Sequence, residues 1–230
     1  TSGDQNVAVG RSALLNSTAN SNTAVGYEAL TANTSGANNV AIGAYALDAN
    51  TNANNNVAIG YEALTTNTAG ADNTAIGYAA LEKNNANNNT AVGYQALEEN
   101  TTGTSQVAVG SNALDDNTTG ENNTAVGRNA LSANTTGNFN VAMGTYALDS
   151  NTTASDNTAI GYNSLTSNTT GADNTALGFQ ALRDNTTSNN NTAVGHEALK
   201  SNSTGTRNTA LGTRAQDVAT TANDNTALGY

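Results

Sequence analysis

Few side chains in this chain of 230 residues are equipped for chemistry, and their spacing limits what they can do. There is one histidine, His196, directly after a glycine. Equivalent places hold Tyr27, Tyr61, Tyr78, Arg128 or Phe179, so the imidazole sits at a variable, surface position. Carboxylates are scattered over columns, with Glu28, Glu62 and Glu197 in one and Asp48, Glu82, Asp115 and Asp149 in another. Neither column pairs two carboxyls in environments that would part an acid from a base. The glycines never take the G-x-G-x-x-G or phosphate-loop spacing, and the G-G-x-G-x-D calcium nonapeptide does not occur. The expectation is a chain with no catalytic residue, no bound metal and no cofactor. The aromatics are the remaining candidates: Tyr27, Tyr61, Tyr78, Tyr94, Tyr162 and Phe179 follow a glycine, and Tyr45 and Tyr146 stand one place later. Such rings can stack on sugars. Because the ring shifts by one place without the pattern failing, they read better as covers for a corner or braces between neighbouring chains.

What positions these residues is a repeat. The glycine closing each Ala-aliphatic-Gly phrase stands at 10, 26, 43, 60, 77, 93, 110, 127, 144, 161, 178, 195, 212 and 229. Eleven of the thirteen intervals are 17 residues and two are 16. A period this short and regular leaves no room for an ordinary helix with its connections; it is one coil of a solenoid. The stretch GYEALTTNTAG offers only about one helical turn before Asn and Gly end it.

Read by column, each coil predicts one short strand. An aliphatic precedes the glycine, and Val or Thr stands two places before that aliphatic, on the same strand face because side chains alternate. An alanine separates them in every coil. Val25, Ile42, Ile59, Ile76, Val92, Val126 and Ile160 are therefore expected in the core. A leucine four residues after the glycine, as at Leu30, Leu64, Leu97, Leu131 and Leu165, is expected to fill a second buried corner. Two asparagine columns complete the unit. One precedes the Val/Thr position (Asn39, Asn73, Asn123, Asn157) and the other follows the leucine by three (Asn67, Asn100, Asn134, Asn168). Coils stacked about 4.8 Å apart let each amide donate to one copy and accept from the next. Asn also tolerates the left-handed corner a solenoid requires.

The resulting reading is an all-β, parallel β-solenoid over residues 1–230 as a single repeat domain, about fourteen coils long, or roughly 65 Å of rod. Its core is thin, since Leu, Ile, Val and Phe total 34 residues against a net charge of −11, a balance that on average alone signals disorder. A lone solenoid so thin would be marginal. Self-association through the outward face would relieve this, and the small alanine column (Ala75, Ala108, Ala125, Ala142) suits close approach of another backbone: a side-by-side homotrimer is expected. With 18 acidic residues against 7 basic, no patch exists to grip nucleic acid. No apolar run spans a membrane and no secretion signal opens the sequence. Zero cysteines exclude disulfides and thiolate metal sites.

The phrase NNTAVGYQAL…NTTG resembles the stacked repeats in the heads of trimeric autotransporter adhesins, the YadA-like left-handed parallel β-rolls with N-S-V-A-I-G coils. It is more similar still to the 17-residue repeats of tail-fibre-like proteins of phages and bacteria. The likeness runs over essentially the whole chain, although this coil is longer than that of the adhesin heads. It implies a trimeric, extracellular fibre or shaft, on a cell surface or a virion, displaying a tip that binds a surface glycan or receptor. Such a chain is expected to be an excerpt of a longer fibre. A second reading is an ice-binding solenoid that uses threonine columns (Thr101, Thr118, Thr135, Thr152, Thr169, Thr186), or a glycan-binding surface along the rod. The last coil, 213–230, is atypical: Gln216 replaces the leucine, and Val218 is expected to plug the vacated slot.

Overall fold

A computed structural model describes residues 3–218 and 220–230. Each repeat forms one three-residue strand followed by a chain of turns, with no helix among the described residues. Contacts group the chain into two compact units, Thr1–Thr119 and Gly120–Tyr230. The first holds β1 (Val7–Val9), β2 (Thr23–Val25), β3 (Val40–Ile42), β4 (Val57–Ile59), β5 (Thr74–Ile76), β6 (Thr90–Val92) and β7 (Val107–Val109). The second holds β8 (Thr124–Val126), β9 (Val141–Met143), β10 (Thr158–Ile160), β11 (Thr175–Leu177), β12 (Thr192–Val194), β13 (Thr209–Leu211) and β14 (Thr226–Leu228).

Within each unit every strand pairs in parallel with the strand of the next coil, and like residues face like: Ala58 lies beside Ala75 and Ile59 beside Ile76. The architecture is a parallel β-solenoid of 17-residue turns. The short coil between Gly77 and Gly93 does not disturb the register, because Thr74 still faces Thr90. Its missing residue comes out of the turn, where the Asn84 amide reaches Ala86 O, two residues on, in place of the usual three.

The strand ends at glycine for a steric reason. Gly60 has φ 139°, and a Cβ there would meet Gly77 O at 2.2 Å, so only glycine lets the next coil sit this close. After it the chain turns inward through left-handed residues: in this coil Glu62 has φ 56° and Leu64 φ 54°. A leucine in that region is strained by about 1–2 kcal/mol. The strain is held because Leu64 is fully buried and its N–H donates to Ala80 O of the next coil at 3.0 Å. Burial of such a side chain contributes about 1.5–3 kcal/mol, the same order as the strain. The third left-handed residue precedes each first-column asparagine (Asn38, Asn55, Asp72); it does not fall on the ladder asparagines, as the sequence led us to expect.

The leucines Leu30, Leu64, Leu97, Leu131 and Leu165 are fully buried. The strand, however, faces the opposite way from the expectation. Ala75, Ala108, Ala125 and Ala142 show 0% exposure and line the interior, so they cannot meet a second chain. Val25, Ile42, Ile59, Ile76, Val92, Val126 and Ile160, expected in the core, point outward and are half-buried or exposed. The reason is width. The strand alanines share the interior with the buried leucines, the alanines before them and two asparagine columns, and a space so filled takes a methyl group but would be overpacked by a branched side chain. The outward aliphatics gain their partial cover from their copies in adjacent coils. Val218 is likewise exposed and plugs nothing; the leucine slot of the last coil is taken by Gln216 itself, whose Oε1 is buried without a hydrogen bond.

Candidate functional site

Two asparagine walls form the polar half of each interior. In the first column Asn39 N donates to Asn22 Oδ1 at 2.9 Å, its own Oδ1 accepts from Asn56 N, and its Nδ2 donates to Ala53 O. Asn73 and Asn157 repeat this scheme, and Asn123 is buried in the same column. This ladder runs from side chain to backbone, and in the second unit it also runs amide to amide, as the sequence suggested: Asn140 Nδ2 donates to Asn123 Oδ1 and Asn174 Nδ2 to Asn157 Oδ1. The second column runs amide to amide: Asn50 Nδ2 donates to Asn33 Oδ1, Asn100 to Asn84, and Asn168 to Asn151, each also closing its own turn, as Asn67 does on Gly70. Asn134 accepts from Asn151 within the same wall. The triplet Asn-Thr-Thr at 100–102 and 168–170 has the form of an N-glycosylation acceptor. Burial closes it, because Asn100 and Asn168 expose nothing.

The threonines put forward for ice lie exposed or half-buried at the surface, and hydroxyls of this column bond the next coil. Thr101 Oγ1 donates to Thr118 O, Thr152 to Thr169 O and Thr169 to Thr186 O, at 2.9–3.2 Å.

The outer wall of each strand carries a recurring aliphatic column. In the first unit Val7, Val9, Ile42, Ile76, Val107 and Val109 are exposed, with half-buried Val25, Val40, Val57, Ile59 and Val92 between them. In the second unit the outward Val/Thr column is mostly threonine, beside Val126, Met143, Ile160, Leu177, Val194 and Leu211. Single exposed aliphatics are ordinary, but contiguous rows mark contact surfaces.

The aromatics form two ladders, one in each unit. In the first, Tyr27, Tyr45 and Tyr61 meet edge to face at 5.3 and 6.0 Å. Tyr61, Tyr78 and Tyr94 then stack nearly parallel at 5.5 and 5.2 Å. In the second, Tyr146 meets Tyr162 edge to face, and Tyr162, Phe179 and His196 stack. Arginines cover ring faces near the start of each ladder, Arg11 over Tyr27 and Arg128 over Tyr146.

His196 lies in a ring stack, 3.9 Å from Glu197 Oε2. Glu197 is held down to a pKa of about 2 by hydrogen bonds from Lys200 and Arg214. One acid behaves differently, and sequence reading passed over it. Glu98 is raised to about 7, first by burial and then by Asp115 and Glu82. The signal was present in the sequence: Glu82, Glu98 and Asp115 occupy one column in three successive coils. Asp48 is also raised, chiefly by burial, although Thr65 donates to it at 2.6 Å. Among the described residues no three acidic, histidine or cysteine side chains converge as metal ligands, and no helix is long and apolar enough to cross a membrane. No protein family model, curated protein or solved structure matches the chain.

Proposed function

We propose that this chain is a non-catalytic structural segment, a shaft that spaces or displays a binding tip, and that it works as a homotrimer packed side by side. The observation that carries the reading is the outer strand wall: the repeat invests its aliphatic column, coil after coil, in a surface that leaves Val9, Ile42 and Ile76 in water when the chain is alone. Covering such rows removes apolar area from solvent at about 25 cal/mol per Å². That gain supplies the stability a core of one leucine and a few alanines per coil lacks. The contact runs through the Val/Thr and aliphatic columns and not through the alanines. The likeness of the repeat phrase to adhesin heads and tail-fibre repeats supports an extracellular setting, on a cell surface or a virion, with a glycan or receptor bound by the tip. The interior accounts for the leucines, alanines and asparagines, so these recurring columns are used in building the coil. The solution mass tests the proposal: about three times 23.1 kDa is expected, and a monomer at micromolar concentration overturns the trimer.

A further inference from the structure

The tyrosine ladder of the first unit contains a feature the second lacks: consecutive phenols stacked face to face. Tyr61, Tyr78 and Tyr94 follow the strand glycine in three successive coils. Their rings lie within 12° and 11° of parallel, with centroids 5.5 and 5.2 Å apart. All three are exposed, between 43% and 51%, so an oxidant reaches them and the rings can pivot. In a parallel stack equivalent atoms sit about one coil apart, which places each ring carbon ortho to a hydroxyl beside its copy. The neighbouring Glu62 carboxylate pushes the Tyr61 phenol's pKa up, and it is a ready acceptor for the phenolic proton as an electron leaves the ring.

We propose that this column is a covalent cross-linking site, at which a peroxidase-type oxidant joins Tyr78 to Tyr61 or to Tyr94 as dityrosine. Each phenol loses one electron and one proton to become a phenoxyl radical. The two radicals couple through their ortho carbons, and the ring hydrogens displaced there return to the oxygens, restoring both phenols. The net change is one new carbon–carbon bond and two hydrogen atoms lost, and hydrogen peroxide takes them up to give two waters. In a chain with zero cysteines, this is a route to a covalent tie between coils that reducing agents do not undo. Other aromatic neighbours are poorly arranged for it. Tyr27, Tyr45 and Tyr61 meet at 80° and 88°, Tyr146 and Tyr162 at 80° and 6.5 Å, and Tyr162 stacks on a phenylalanine that has no hydroxyl. The inference does not depend on the trimer.

The test treats the full chain with a haem peroxidase and limiting hydrogen peroxide. It reads dityrosine fluorescence, migration on a denaturing gel and the masses of linked peptides. The expected product migrates as a single chain, with linked peptides two hydrogens lighter than their sum and joining Tyr78 to Tyr61 or Tyr94. Tyr78→Phe keeps the ring and removes a phenol from both pairs, so intrachain dityrosine falls on the order of tenfold, as loss of a preformed pair requires. Tyr162→Phe leaves the yield unchanged. Unfolding the wild type in denaturant before oxidation abolishes the preference for these pairs, which keeps the test independent of how any variant folds. Cross-links dominated by Tyr230, an unchanged yield in Tyr78→Phe, or only interchain product would overturn the proposal.

Discussion

Ala75 and Ile76 are neighbours in one strand and live in different worlds. The alanine is sealed inside its coil, while the isoleucine is 36% exposed on a wall of its own kind. A larger side chain on the outside and a smaller one within reverses the usual order of burial. In a narrow solenoid the interior is set by the reach of its turns, and the most apolar column is left facing outward. The two walls should then answer mutation differently.

The largest effect is expected inside. Leu131→Asp removes a fully buried leucine and buries an unpaired charge, which costs about 3–5 kcal/mol and frays the second unit; thermal melts by circular dichroism measure it. Val126→Asp, five residues away on the outer wall, should leave the melt of the isolated chain within about 0.5 kcal/mol and act on association alone. Equal damage from both would abolish the distinction between walls.

A smaller loss is expected from the polar interior. Asn73→Ala strips the acceptor used by Asn89 N and the donor to Ala86 O. Leaving those buried groups unmet costs about 1–3 kcal/mol. The same change at Asn38, on the surface, should cost less, and a denaturant series on both variants would show the gap.

The acid column gives a pH response. Glu98 rises from an ordinary 4.5 to about 7 in the fold, so the folded chain holds this proton more tightly than the unfolded one. Its contribution is complete below the unfolded value and is lost as pH climbs through about 7. The first unit should therefore melt higher near about pH 5 than near about pH 8, and Glu98→Gln should flatten the difference. At the bottom of the scale, His196→Ala should change stability by less than about 0.5 kcal/mol, as a half-exposed ring at the end of a stack implies.

The period, the strand positions, the buried leucines and the asparagine columns were legible because each column repeats one residue type. The direction of the strand was not. Alternation places Ala75 opposite Ile76, but three residues cannot say which side is in, and hydrophobicity pointed the wrong way. A better signal was available in the column where Val40, Thr74, Val107 and Thr124 replace one another. A hydroxyl is easily accommodated at a wet edge and costly in a dry core, so free exchange of Val and Thr argues for the outside. Left-handed leucines had no signal at all, since no propensity favours them and only the packed coil enforces them. The stack of Glu82, Glu98 and Asp115 was readable once the coils were laid side by side.

The most direct test of the central claim replaces one outer aliphatic with a charge, Ile76→Lys, and measures mass by sedimentation alongside the far-ultraviolet spectrum. The particle should fall from about three chains to the single-chain mass of 23.1 kDa and keep its β-solenoid spectrum. A variant that stays trimeric, or one that loses its fold as Leu131→Asp does, contradicts the claim.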